Sequence, residues 1–230
     1  MPGLTVAITG ATGMIGAGVL AECLSDRRID TVIAIGRTPL GHSHSKVREH
    51  LQHDFLHWPG PTSVFQHVDA VFFCLGVSAI GLNEAEYHRI TYDYTLATAR
   101  AAAAARPRGT LCYVSGQGTD ATESGRQMWA RVKGKTENAL FALAGVNAYA
   151  FRAGYVQPGK GVRSKTRWYR MVYAVMGPLY PLLRRVAPRY VTSTAAVGRA
   201  MITVAAHGSE HRTIENADIN ALADPRAPES

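Results

Sequence analysis

The chain has 230 residues, 47% of them hydrophobic, and a formal net charge of +8. This length and apolar content favour one large domain with its own core, and no internal repeat indicates a solenoid or a propeller. The positive charge is concentrated between Arg152 and Arg189 without the basic and aromatic motifs of a nucleic-acid-binding module, so we expect no nucleic acid and an anionic or polar small molecule as the partner.

The cysteines and histidines show no pattern typical of a disulfide framework or a metal site. Cys23, Cys74 and Cys112 are widely separated, which favours reduced thiols packed in the core. Five histidines fall between residues 42 and 57 without the accompanying ligands that a metal site needs, so we expect no metal. The chain runs almost directly from its first residue into an apolar stretch, which leaves no room for a signal peptide and predicts a cytoplasmic protein.

The stretch Leu4 to Gly16, LTVAITGATGMIG, dominates the N-terminal part of the chain. It predicts a buried strand, a glycine turn and the start of a helix, with Gly10, Gly13 and Gly16 in the spacing G-x-x-G-x-x-G. The first glycine permits a sharp turn, the second a close approach of the backbone to a pyrophosphate, and the third tight packing of helix on strand. Since a helix N-terminus also favours a phosphate, the stretch indicates a nucleotide site.

A second apolar run, Thr31 to Ile35, completes a β-α-β unit and is followed by Arg37. In a dinucleotide-binding unit an acidic residue at this place binds the 2′-hydroxyl of NAD, whereas an arginine accommodates the 2′-phosphate of NADP. Arg37 therefore favours NADP over NAD. The alternative, a solvated arginine after a strand, stays open at this point.

Apolar runs and helical stretches alternate along the rest of the chain. The predicted strands are Val47 to Phe55, Val68 to Leu75, Thr110 to Val114, Ala148 to Phe151 and an edge strand at Thr213 to Asn216, and the predicted helices are Asn83 to Ala105, Gln127 to Leu143 and Val191 to Ala206. This alternation predicts an α/β fold with a doubly wound parallel sheet, whose ligand crevice lies at the carboxyl ends of the strands. We expect one domain over residues 1–222, in which residues 157–212 form a small helical substrate-side lobe, and a loose tail over residues 223–230.

Six short motifs give the chain a resemblance to a known superfamily. They are GATGMIG at residues 10–16, IGR at 35–37, HDF at 53–55, YVSGQG at 113–118, ARVKGKTE at 130–137 and FRAGYVQP at 151–158. In this order they resemble the short-chain dehydrogenase/reductase superfamily, and within it the atypical, epimerase/dehydratase-like members of the TIP30-like type. The resemblance covers roughly the first 160 residues and implies a Rossmann fold that binds a nicotinamide dinucleotide.

The resemblance also implies a role for each matching residue. The implied cofactor contacts are Gly10, Thr12, Gly13, Met14 and Ile15 at the pyrophosphate, Arg37 at the 2′-phosphate, Asp54 and Phe55 at the adenine, Leu75 and Gly76 at the ribose, and Gly154, Tyr155 and Val156 at the nicotinamide amide. Lys133 matches the lysine that holds the nicotinamide ribose and lowers the pKa of a neighbouring tyrosine. Ser115, at the end of the fifth predicted strand, matches the serine that polarises the substrate.

The match fails at the catalytic tyrosine. In typical members a tyrosine stands four residues before the lysine and exchanges a proton with the substrate oxygen. Here Trp129 occupies that position, and its indole only donates a hydrogen bond. The catalytic candidates are therefore Lys133, Ser115 and, as a substitute for the missing tyrosine, Tyr155; the polarising serine aligns equally well with either of the two residues that follow Ser115.

The region after residue 157 is first basic and then apolar. Lys160 to Arg170 reads KGVRSKTRWYR, and Met171 to Leu183 carries no charge. This uncharged run is shorter than the ~20 residues that a membrane-spanning helix requires, so we expect no transmembrane segment. Three uses stay open: recognition of an anionic substrate, peripheral contact with an anionic membrane surface, and a solvated basic face, of which the last is typical of charge runs.

Two functions are consistent with these features. The first is an NADP(H)-dependent oxidoreductase acting on a small carbonyl, alcohol or sugar-nucleotide substrate, which the retained Lys133 favours. The second is a non-catalytic NADP(H)-binding regulator or scaffold, which Trp129 favours. In either case we expect a monomer or a homodimer.

Overall fold

The computed structural model describes residues 3–58, 64–159, 180, 183 and 185–224. Its main strands are β1 (Leu4–Thr9), β2 (Ile29–Gly36), β3 (Val47–Leu51), β4 (Ala70–Phe73), β5 (Gly109–Gly116), β6 (Val146–Ala153) and β9 (Thr213–Glu215). They form one parallel sheet in the order β3-β2-β1-β4-β5-β6-β9. A second, two-stranded parallel sheet pairs β7 (Tyr155–Gln157) with β8 (Val191–Ser193).

The helices of the described residues are α1 (Met14–Ser25), α2 (Glu84–His88), α3 (Tyr94–Ala105), α4 (Met128–Ala142), α5 (Thr194–His207) and α6 (Asn216–Leu222). A turn of π-helix, Arg89–Asp93, joins α2 to α3, so the helix predicted from residue 83 is continuous but irregular. Its start is fixed by a capping box, in which the Asn83 side chain accepts the N–H of Glu86 and the Glu86 carboxylate accepts the N–H of Asn83.

Alternation along β1 divides the core between the two faces of the sheet. Val6 and Ile8 pack in one cluster with α1 and α5, represented by Val19. Ala7, between them, belongs to a second cluster with α3 and α4, represented by Leu96. Because successive side chains of a strand point to opposite faces, helices cover the sheet on both sides. The predicted doubly wound Rossmann fold is confirmed.

Helix α5 packs closely on α1. A Cβ atom on Gly18 of α1 would collide with Thr194, and one on Gly198 of α5 would lie 2.9 Å from the Cβ of Glu22, so two glycines permit the approach. Arg199 adds an ion pair to Glu22 at 3.1 Å. This helix therefore belongs to a layer that covers the sheet, which corrects the expectation that all of residues 157–212 form a substrate lobe.

Two predicted boundaries are wrong. Strand β3 ends at Leu51 rather than at Phe55, because the side-chain amide of Gln52 donates to carbonyl groups of the following residues and closes a turn. The loose tail does not begin at Ala223, which is buried and accepts a hydrogen bond from Arg199. The basic run over 160–170, the uncharged run over 171–183 apart from positions 180 and 183, and the last six residues lie outside the described residues.

Within the described part of the chain, no helix is long and apolar enough to cross a membrane. In the same part, no three side chains of histidine, cysteine, aspartate or glutamate are placed to hold a metal ion. The three cysteines are free thiols. Burial raises the pKa of the Cys23 thiol to about 12, so this group is protonated and unreactive at neutral pH.

Candidate functional site

The glycine turn connects β1 to α1 at the carboxyl edge of the sheet. Gly10 has a left-handed backbone, with φ of +72°, and a Cβ atom there would lie 2.8 Å from the carbonyl oxygen of Cys74 and from the backbone of Leu75. A Cβ atom on Gly16 would collide with the carbonyl group of Gly10. The N–H of Gly13 donates to that same carbonyl at 2.8 Å. Packing therefore requires glycine at the first and third positions of the motif.

Helix α1 offers its first N–H groups without a side-chain cap. Its N-cap residue is Gly13, and no side chain of the described residues caps it. Met14 and Ile15 follow as the first two helical residues. Uncapped N–H groups at the positive end of a helix dipole are the features that bind a phosphate group.

A cleft of about 410 Å³ opens beside the turn. It is lined by the carboxyl ends of β1, β2 and β3 and by the residues after β4, and it includes five predicted cofactor residues: Gly10, Thr12, Arg37, Phe55 and Leu75. The strand order reverses between β1 and β4, which is where doubly wound folds bind their ligands. At Gly76, which follows Leu75, a Cβ atom would meet nothing within 4 Å, so packing does not explain that glycine.

Arg37 and Glu49 both line this cleft, and they differ in whether their charged groups are paired. The Glu49 carboxylate accepts the N–H of Leu40 at 2.9 Å, which ties it to the loop after β2. Arg37 is exposed and pairs with none of the described residues. A free guanidinium group in a cleft favours an anionic ligand, and a phosphate matches its fork of donors.

The two residues predicted at the adenine behave differently. Phe55 is buried beside Trp58, their ring centroids 5.7 Å apart in an edge-to-face arrangement, and it lines the cleft. Asp54 instead accepts the N–H of Leu56 at 2.9 Å and lies 2.7 Å from Nδ1 of His57. The contact with His57 holds the pKa of Asp54 below its usual value. Its carboxylate therefore serves the local turn, and Asp54 is absent from the cleft lining.

Lys133 extends from α4 to the end of β5. Its Nζ atom donates to the carbonyl of Val114 at 3.1 Å and lies 5.1 Å from the ring centre of Tyr113. Burial lowers the pKa of Lys133 to about 8, against the charge of Glu137, which raises it. A lysine in this state carries an exchangeable proton near neutral pH.

Trp129 lies one helical turn before Lys133 on α4, where the resemblance predicts a tyrosine. Its indole Nε1 donates to the side-chain oxygen of Gln127 at 2.9 Å. The ring covers the turn after β5, since Cβ atoms on Gly116 and Gly118 would lie 3.7 and 3.5 Å from it. The indole is a hydrogen-bond donor here and has no proton to exchange near neutral pH.

Ser115 belongs to a buried polar network. Its hydroxyl group donates to Oε1 of Glu137 at 2.5 Å and lies 3.1 Å from the hydroxyl of Thr119. Glu137 is 1% exposed and is paired with Arg152 at 2.6 Å, and Arg152 also reaches Glu215 at 3.2 Å. The sequence reasoning assigned no role to Glu137 or Arg152. The available signal was the spacing of Glu137, which follows Lys133 by one turn on the same helix.

The predicted nicotinamide loop is held by contacts from distant parts of the chain. The N–H of Gly154 donates to the side-chain oxygen of Asn216 at 2.8 Å, and the N–H of Tyr155 donates to the carbonyl of Tyr190 at 2.8 Å. The Tyr155 hydroxyl donates to Gln157 at 3.0 Å, and burial raises the pKa of Tyr155. Val156 is buried. Asn216 was missed, and no motif pointed to it.

The parallel sheet, the glycine turn and the cleft at the strand-order reversal define an atypical short-chain dehydrogenase/reductase with a Rossmann fold. The chain belongs to the NAD dependent epimerase/dehydratase family, whose model matches residues 6–124. That match contains the glycine turn and Arg37 and ends before Trp129 and Lys133. Membership therefore describes the cofactor half of the site more directly than the half where chemistry would occur.

Curated proteins and solved structures resemble the chain at a distance. It is 29% identical to "Protein fmp52-1, mitochondrial" of Aspergillus terreus over 171 residues, covering 71% of this chain and 70% of that protein. It is 26% identical to "Protein FMP52, mitochondrial" of Debaryomyces hansenii over 177 residues, covering 72% and 75%. The names of these relatives contradict the prediction of a cytoplasmic protein, which rested only on the start of the sequence.

Two solved structures share the fold. MoeE5 in complex with UDP-glucose and NAD superimposes with a TM-score of 0.67 at 20% identity, covering 91% of this chain and 74% of that one. The enzyme WbmF of Bordetella bronchiseptica in complex with NAD+ gives a TM-score of 0.66 at 14% identity, covering 95% and 77%. At these identities the likeness extends to the fold alone.

Proposed function

We propose that the chain binds NADP(H) and transfers hydride between its nicotinamide and a small polar carbonyl or alcohol, sugar nucleotides included. The observation that carries the cofactor assignment is the unpaired Arg37 in the cleft beside the glycine turn. The 2′-phosphate distinguishes NADP from NAD and supplies the anion that this guanidinium lacks. The backbone from Gly10 to Ile15 would hold the pyrophosphate.

The residues present fit a dinucleotide. Side chains are excluded at Gly10 and Gly16, and α1 begins uncapped, so the turn offers backbone donors and space together. When bound, the nicotinamide supplies or accepts hydride, and the protein must then provide or remove a proton.

Lys133 is the residue to which we assign that proton. The pKa of Lys133, lowered to about 8, suits a general acid that works near neutral pH. The Ser115 hydroxyl donates a hydrogen bond to Glu137 and thereby fixes the end of β5. Tyr155 donates to Gln157, and its pKa is raised by burial, so it is the weaker acid of the two candidates.

The direct test is NADPH oxidation over a panel of carbonyl compounds as a function of pH. Because Lys133 must be protonated to donate, the reduction rate should fall as the pH rises through about 8. Lys133→Met should reduce the turnover rate by about 10²- to 10⁴-fold while the fold is retained. Tight NADPH binding with no turnover of any substrate would refute the enzymatic assignment.

Trp129 favours a second candidate, a non-catalytic NADP(H)-binding regulator. Its indole covers the turn after β5 where the family places an acid, and it cannot exchange a proton. Trp129→Tyr distinguishes the two candidates. If the natural protein is inactive and this variant gains turnover, the fold retains a working site that the natural sequence does not use, and the regulatory function is supported.

A further inference from the structure

Two asparagines of α6 grip one turn of the chain from the same side. Asn216 and Asn220 stand one helical turn apart. Each side-chain amide donates to the carbonyls of both Pro188 and Val191, at 2.9 and 3.0 Å from Asn216 and at 2.8 and 2.9 Å from Asn220. Both lone pairs of each carbonyl are therefore used. We call these two residues the asparagine clamp.

The acceptor side of the clamp reaches the predicted nicotinamide loop. The side-chain oxygen of Asn216 accepts the N–H of Gly154 at 2.8 Å, and that of Asn220 accepts the hydroxyl of Thr192 at 2.8 Å. Asn216 is 1% exposed. Only a side chain with both a donor and an acceptor makes this set of bonds, so an aspartate of the same shape would lose the donors.

The turn over residues 188–190, which the clamp holds, also binds the predicted nicotinamide loop. The carbonyl of Tyr190 accepts the N–H of Tyr155 at 2.8 Å, and β7 pairs with β8 from that point. A Cβ atom on Gly154 would collide with the Tyr190 carbonyl and lie 2.7 Å from the side-chain oxygen of Gln117. Gly154 and Tyr155 are thus confined between the clamp, the turn over residues 188–190 and the end of β5.

We propose that Asn216 and Asn220 are positioning residues that hold Gly154 to Val156 against the nicotinamide half of the cofactor. The inference rests on the proposed NADP(H) function, and it adds a part of the chain that no motif marks. The clamp acts through the loop, and within the described part of the chain its hydrogen bonds reach no residue that we assign to the adenosine side. Loss of the clamp should therefore weaken the binding of the nicotinamide half of the dinucleotide and leave the binding of the adenosine half unchanged.

The test compares NADPH with adenosine 2′,5′-bisphosphate, which carries the adenosine and the 2′-phosphate but no nicotinamide. We expect Asn216→Asp and the less buried Asn220→Asp to weaken NADPH binding by about tenfold, as removal of buried hydrogen bonds implies. Calorimetry should show bisphosphate binding unchanged within about twofold. Asn138→Asp is the matched control, because within the described residues the Asn138 amide donates only to Ala121 and Glu123, away from the loop.

Native-state hydrogen exchange gives a second readout. Exchange of the Tyr155 amide should be faster in both clamp variants than in the natural protein and the control. Equal weakening of both ligands, or unchanged NADPH binding in a folded Asn220→Asp protein, would overturn the positioning role while the proposed cofactor stands. A natural protein that binds neither ligand would instead overturn the proposed function, and the clamp's role with it.

Discussion

The two ends of the proposed dinucleotide site differ in composition, since backbone groups form the adenosine end and side chains form the nicotinamide end. The adenosine end is mostly backbone: Gly10 and Gly16 admit no side chain, and α1 presents uncapped N–H groups. The proposed nicotinamide end is mostly side chains, with Lys133, Trp129 and Ser115 converging near the end of β5. A backbone turn changes only with loss of local structure, whereas a side chain can be exchanged while the helix that carries it remains. The departure that the sequence analysis predicts, Trp129 in place of a tyrosine, accordingly lies at the second end.

The proposed nicotinamide end contains the buried carboxylate of Glu137. Removal of this carboxylate should have the largest effect on stability. Glu137→Ala leaves the half-buried Arg152 without its closest partner, so we expect the free energy of unfolding to fall by about 3–5 kcal/mol. Chemical denaturation measures this. Glu215→Ala removes the more exposed partner of the same arginine together with the side-chain cap at the start of α6, and should cost about 1–2 kcal/mol. Equal losses in the two variants would contradict a network centred on Glu137.

At the proposed adenosine end, one added methyl group should reduce both stability and NADPH binding. In Gly16→Ala the added Cβ collides with the Gly10 carbonyl, and we expect a loss of about 1–3 kcal/mol in unfolding free energy together with loss of NADPH binding. Gly76→Ala is the control, since its Cβ meets nothing within 4 Å, and its unfolding free energy should stay within about 0.5 kcal/mol. Retained NADPH affinity in a folded Gly16→Ala protein would show that the turn is not the phosphate site.

Features formed by residues close together in the sequence could be predicted from the sequence alone, whereas side-chain hydrogen bonds could not. The glycine spacing, the apolar runs and Arg37 are local features, and they were sufficient to predict the sheet, its helices and a ligand crevice at the carboxyl ends of the strands. The end of β3 was mispredicted because the Gln52 side chain closes a turn through carbonyls that no propensity scale records. The role of Asp54 differed for a related reason, since His57 engages its carboxylate.

The contacts between distant segments were beyond reach of the sequence. Asn216 meets Gly154 across 62 positions of the chain, and Ser115 meets Glu137 across 22. Neither pair forms a motif, because hydrogen-bond partners between separate elements are set by the fold. The three uses considered for the basic run over 160–170 stay open, as those residues lie outside the described ones.

The smallest expected effect is a change of cofactor preference at the adenosine end. Arg37→Asp replaces the unpaired cation of the cleft with a carboxylate, which repels a 2′-phosphate and accepts from a 2′-hydroxyl. We expect the ratio of NADPH to NADH affinity to fall by at least about tenfold, the loss of one charge-assisted contact. Titration of both cofactors by fluorescence gives the two dissociation constants.

The control for this variant must carry the same change of charge. Arg48→Asp provides it, because Arg48 is exposed on the neighbouring β3 and does not line the cleft. If both variants reduce NADPH affinity equally, the effect is one of net charge, screened by salt, and not a contact. If only Arg37→Asp changes the ratio, a single side chain sets cofactor choice on an otherwise backbone-built end. Specificity would then lie with exchangeable side chains at both ends of the site, and only the grip on the pyrophosphate would be fixed by the backbone.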